Sequence, residues 1–129
     1  TDRWSKPIAF MSSHVESYPV LVARPEYVER IREVERRRSK QTLPFVPRDE
    51  VASFEPQMES GDVEAFATAV EGLDCSHVGL IAMEKGRPFV LHASSVKKQV
   101  LVDRPLSVYV AEGKATGVFV ARPQEPRMR

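Results

Sequence analysis

Cysteine is nearly absent from this sequence, with a single residue, Cys75, among 129. No internal disulfide can staple the fold, and the redox compartment stays undecided. Long apolar runs are absent too: nothing approaches the roughly 20 residues that a membrane-spanning helix needs. The N-terminus has neither a basic leader region nor an apolar one, so the expectation is a soluble chain with no membrane span. Thr1 opens the sequence where a start Met would stand, which leaves room for an upstream leader or a longer segment. Charge of one sign is also lacking, with a net charge of +1 at 29% charged residues. There is no global field to draw in nucleic acid or an anionic membrane, and partners must be argued from sites.

What is present is enough for one core. At 129 residues and 42% apolar content the expectation is a single domain over residues 1–129. Two short apolar pieces, Pro7-Ile8-Ala9-Phe10-Met11 and Pro19-Val20-Leu21-Val22, read as extended segments or loops, and His14 reads as a surface histidine. Pro25 to Ser39 reads as a helix, with Glu26 and Glu29 near its positive end and Arg36, Arg37 and Arg38 near its negative end. Val28, Ile31 and Val34 give it a narrow apolar stripe. The basic run that ends it could touch phosphate. A solvated helix end explains it equally, and no aromatic or groove-reading element accompanies it, so no nucleic-acid partner is expected.

Pro44, Pro47 and Pro56 forbid a long regular element in the connector that follows, which keeps only a strand-like Phe45-Val46. From Ser60 onward the pattern turns to strands, with a sheet core expected over about 60–122. Val63 to Thr68 alternates, Gln99 to Asp103 and Thr116 to Ala121 are apolar runs, and Pro105 to Val110 is a short helix or turn. This predicts a four- or five-stranded antiparallel meander. Its middle strand has Val78, Leu80 and Ala82 on one face and Gly79, Ile81 and Met83 on the other. Such strands belong in the middle of a sheet covered on both sides. One amphipathic helix is thin cover for them, so the fold class expected is α+β with an N-terminal helical part missing.

Two of the three histidines stand in the central hairpin. His77 opens an apolar run, His92 closes another, and Glu84-Lys85-Gly86-Arg87 between them is a turn signal. A turn centred on Lys85 and Gly86 puts His77 opposite Ser94, with His92 its diagonal neighbour. Residues at i and i+2 share a face, so His77, His92 and Ser94 point to one side, the two histidine Cα atoms roughly 7 Å apart. Neutral imidazole is the usual general base near pH 7, and a polar group on its other nitrogen fixes tautomer and orientation. Such a pair lacks a nucleophile.

Gly61-Asp62-Val63, Gly72-Leu73-Asp74, Ser76-His77-Val78-Gly79 and Leu91-His92-Ala93-Ser94-Ser95, followed by Lys98, Val100 and Pro105-Leu106, resemble the N-acetylmuramoyl-L-alanine amidase-like (AmiA-like) family of the NlpC-type papain-like cysteine hydrolases. The resemblance covers residues 43–122 well and 1–42 loosely. It implies a papain-like antiparallel sheet core and a bacterial cell-wall amide hydrolase, with peptidoglycan or muropeptide as substrate, a periplasmic or extracellular location, and no cofactor or metal. It also implies a Cys-His-His site in which His77 is the base that activates a thiolate and His92 its orienter. Ser76 and Ser94 are the candidate substrate contacts, and Asp74 suits a turn.

The family's cysteine comes from a helix N-terminus well upstream of the histidines, and no cysteine precedes Cys75 here. Two residues from His77 on one strand, Cys75 would run parallel to it rather than converge on a shared carbonyl. The nucleophile is therefore expected outside these 129 residues, and this chain alone should be inactive. Two other readings stay open: an inactive muropeptide-binding module, and a metal site built from Cys75, His77 and His92.

Overall fold

The computed structural model describes residues 2–128 and is α+β. Its strands are β1 (Asp2–Trp4), β2 (Leu43–Pro47), β3 (Val63–Ala67), β4 (Cys75–Glu84), β5 (Arg87–Ser94), β6 (Gln99–Pro105) and β7 (Gly117–Ala121). Its helices are α1 (Phe10–Ser13), α2 (Pro19–Ala23), α3 (Glu26–Arg38), α4 (Val51–Phe54) and α5 (Leu106–Glu112). The sheet runs β1-β2-β7-β3-β4-β5-β6, and the pairs β2–β7, β3–β7, β3–β4, β4–β5 and β5–β6 are antiparallel. The chain divides into two compact units: Pro44–Thr68 with Cys75–Arg129 and the first two residues, and Arg3–Leu43 with Ala69–Asp74.

The sheet unit is organised by the central hairpin. Lys85 at φ 51° and Gly86 at φ 77° form its turn, and Glu84 pairs Arg87 while Leu80 pairs Leu91, the register that a two-residue turn at this position requires. The last strand does not continue a meander. β7 crosses back to lie between β2 and β3, where Val118 pairs Val46 on one side and Phe66 on the other, and the bare Gly117 lets β2 approach so closely that a Cβ there would meet Val46 O at 2.3 Å. β2 is a full strand in spite of Pro44 and Pro47.

One sheet face carries the core. Phe66, Ile81, Val90 and Val118 pack with Leu106 and Val110 of α5 and Val51 of α4, all but inaccessible to solvent. The opposite face is open among the described residues: Val78 is 51% exposed and Leu80 42%. β3 follows the same division, with Glu64 and Phe66 inward and Val63 and Ala65 half-buried.

In the second unit Pro7, Ile8 and Ala9 are loop, while Phe10 and Met11 open α1 and Pro19–Ala23 is α2, where extended segments or loops were expected. Pro19 at the first turn of α2 supplies a preset φ where no N–H is needed. In α3 Val28 and Ile31 are half-buried and Glu35 is buried, while Val34 is 49% exposed, so the stripe continues from 31 to 35 where 34 was expected. Glu35, 5% exposed, takes up the N-terminal amides of α1: its Oε1 accepts from Met11 N at 2.8 Å and Ser12 N at 3.3 Å. His14 is half-buried and stacked on Phe10, ring centroids 4.0 Å apart. Gly72, at φ 77°, presents its carbonyl to Ala9 N and Phe10 N, and a Cβ there would lie 3.2 Å from Phe10 N. Asp74 pairs with Arg38 at 3.5 Å.

Candidate active site

The hairpin register brings His77 and His92 together on the core face, beside the end of α5. His77 Nε2 lies 2.7 Å from His92 Nδ1, with the ring planes at 83° and centroids 5.0 Å apart. His92 is 7% exposed, and its other nitrogen, Nε2, lies 2.9 Å from Asp103 Oδ2. The second oxygen of Asp103, Oδ1, faces Arg104 Nε at 3.6 Å, and Arg104 is itself tied to Glu112.

These contacts fix the protons. A carboxylate only accepts, so His92 Nε2 carries the hydrogen given to Asp103. In neutral His92 the remaining nitrogen, Nδ1, then accepts from His77 Nε2–H, and His77 Nδ1 is left unprotonated. Burial, with the neighbouring His92 adding to it, lowers the His77 pKa below the ordinary 6.5. The arrangement is a neutral base whose far nitrogen is held by a second imidazole, and that imidazole by a carboxylate.

Around it lies an open cleft of roughly 500 Å³ lined by Phe66, Ser76, Ser94, Lys97, Tyr109 and Lys114 among others. Ser76 is exposed at its lip. Ser94 is 8% exposed, and its Oγ accepts from Lys97 N at 3.1 Å, so it closes the β5–β6 turn as well as lining the cleft. Cys75 does not line the cleft. The β3–β4 register shifts between Phe66 and Ala67, where Phe66 pairs His77 but Ala67 pairs Cys75. This bulge spends Ser76 as an extra residue, so the simple i, i+2 relation of Cys75 to His77 is lost. Among the described residues no group of three His, Cys, Asp or Glu side chains is placed to hold a metal ion.

Three residues of this site were not singled out in the sequence. In the sequence Asp103 simply ends the strand pattern Gln99 to Asp103. Carrying the ladder across the β5–β6 turn puts His92 opposite Leu101, and Asp103, two residues on, then shares its face diagonally. Tyr109 packs against His92 with centroids 5.4 Å apart and against Phe66 at 4.9 Å. Burial, and after it Asp103, raises its pKa. Glu64 lies beneath the pair, opposite Gly79.

The N-acetylmuramoyl-L-alanine amidase-like (AmiA-like) family model matches residues 1–118. The chain belongs to that family. Two crystal structures of an N-acetylmuramoyl-L-alanine amidase from Bacteroides uniformis resemble it, with TM-scores of 0.87 and 0.83 at 31% and 32% identity. They cover 96% and 92% of this chain and 54% and 52% of their own. A structure from Bacteroides fragilis named provisionally as a xylanase gives a TM-score of 0.82 at 32% identity, over 95% of this chain and 54% of its own. The chain thus spans about half the length of the solved structures it matches. No curated protein sequence matches it. Among the described residues no helix is long and apolar enough to cross a membrane.

Proposed function

We propose that this chain supplies the base and its orienters to a bacterial cell-wall amide hydrolase of the N-acetylmuramoyl-L-alanine amidase or peptidase type. The observation that carries the reading is the linked set His77–His92–Asp103 on one wall of an open cleft. His77 Nδ1 takes the proton of a cysteine thiol, and the thiolate attacks the amide carbonyl of a muropeptide. The imidazolium so formed keeps its place through His92, whose Nε2–H remains on Asp103. It then protonates the leaving amine, and water releases the acyl group from sulfur in the second half of the reaction.

The sulfur in this proposal comes from residues outside the 129, since Cys75 is not in the cleft lining. Ser76 and Ser94 stand where substrate could be held. Such a wall hydrolase works in the periplasm or outside the cell. The full protein digesting muropeptides, with its His77→Ala variant alongside and products read by mass, tests the reading; equal activity in both removes His77 from the mechanism.

The lack of a cysteine in the cleft lining also favours a second reading, a muropeptide-binding module without turnover. Its mark would be muropeptide-induced shifts at His77 and His92 in the 129-residue chain, with no product formed by the full protein.

A further inference from the structure

Glu64 is a buried ionisable group beside this site that the mechanism leaves unused. It is 0% exposed, and neither carboxylate oxygen has a hydrogen-bond partner among the described residues. It sits on the core face of β3, opposite Gly79 on β4 and Val120 on β7. Gly79 is what makes the seat. A Cβ built there would meet Glu64 Oε1 at 2.8 Å, Leu91 O at 3.0 Å and His92 Cβ at 3.4 Å, so the missing side chain leaves the space that the carboxyl occupies against the strand bearing His92. An ionised carboxylate to which no neighbouring side chain donates is far costlier to bury than the acid form.

We propose that Glu64 is a positioning residue of the His77–His92 pair: an uncharged carboxylic acid held behind the imidazoles, whose neutrality leaves Asp103 to set their protonation. The inference rests on the reading of His77 as the base. Were Glu64 ionised, a second negative charge beside His92 would stabilise the imidazolium at rest and take away the free nitrogen that must accept the thiol proton. The surrounding groups agree with this assignment. Just before its own strand, Asp62 is already paired with Arg122. His77 and His92 share its sheet face on β4 and β5, Asp103 and Arg104 belong to β6, and Tyr109 to α5. None of the cations among these bonds to Glu64. Burial pushes its pKa up to about 8, with the charge of Asp62 adding to the rise. The carboxyl would then lose its proton only after His77 had lost its own.

NMR titration of the 129-residue chain, with ¹³C in the glutamate carboxyls and ¹⁵N in the histidine rings, tests this. Glu64 should titrate near 8, far above the ordinary 4.5, and the ring nitrogens of His77 should show a second inflection at the same midpoint. Glu64→Gln should abolish that alkaline inflection and keep the first. A Glu64 resonance that titrates with the exposed glutamates, or ring nitrogens indifferent to its ionisation, overturns the proposal. Should Glu64→Gln fail to fold, Glu64→Leu takes its place, and the wild-type titration alone still decides. Coupling seen in a protein that cleaves no muropeptide would end the hydrolase reading and leave the coupling standing.

Discussion

Asp103 Oδ2 and His92 Nε2 are 2.9 Å apart, and that contact sets which nitrogen of His77, a residue Asp103 does not bond, is free to act as a base. The dependence is directional, because a carboxylate can only accept while a carboxamide can also donate. Asp103→Asn should therefore release the His92 tautomer. Ring ¹⁵N spectra should change from one protonated Nε2 to a mixture, and muropeptide turnover by the full protein should fall by about 10²-fold or more. Unchanged ring nitrogens would separate Asp103 from the base.

The His77 pKa is lowered by burial and by His92 from 6.5. Just below that value the unfolded chain binds a proton that the folded chain does not, so stability should fall as pH drops through the window beneath 6.5 and level off below the folded value. His77→Asn should flatten this part of the profile. Urea midpoints across about pH 5 to 8 check it, and parallel curves for the two proteins would show that the site does not resist protonation.

Glu64 gives the opposite sign. Its pKa is raised from 4.5 to about 8, so the folded state holds a proton that the unfolded state has lost. Stability should decline as pH rises between these values, by at most about 1.4 kcal/mol per pH unit, and stay level above. Glu64→Leu should remove the decline, and a slope that survives in the variant would assign it to another group.

The hairpin and its histidines were legible because a two-residue turn and a period of two leave little freedom: once Lys85 and Gly86 are the turn, the faces of His77 and His92 follow. Where the rules are weaker the reading failed. Pro7 to Met11 and Pro19 to Val22 are too short for a helical period to show, and α1 depends on a carboxylate, Glu35, more than twenty residues away. Val34 was counted into the stripe of α3 in place of Glu35, since a charged residue is normally assigned to solvent. Asp103 was hidden by the same habit. The place of β7 beside β3 is a long-range pairing that no local pattern encodes.

α5 both closes the core and carries Tyr109 to the cleft, so a core substitution there should be felt at the site. Leu106 is 0% exposed at the first position of the helix. Leu106→Ala should cost about 2–5 kcal/mol of stability and broaden the His92 ring signals as Tyr109 loses its fixed stacking. Chemical denaturation and the same ring spectra measure both, and a cost below about 1 kcal/mol would mean that the helix repacks freely.

The open sheet face makes a prediction about solution behaviour. Leu80, Leu91 and Val102 pair in one row across β4, β5 and β6, and Val100, 70% exposed, and Val78, 51% exposed, stand beside that row. These side chains project on the side away from α4 and α5, and β6 is the last strand of the sheet, so an apolar surface and an unpaired edge coincide. Such a combination invites association. Val100→Lys places a charge on that edge at a side chain that packs little, so stability should move by no more than about 0.5 kcal/mol, while hydrophobic-dye binding and light scattering at high concentration should fall. Dye binding unchanged in the variant, with the fold intact, would mean that the sticky surface lies elsewhere on the chain.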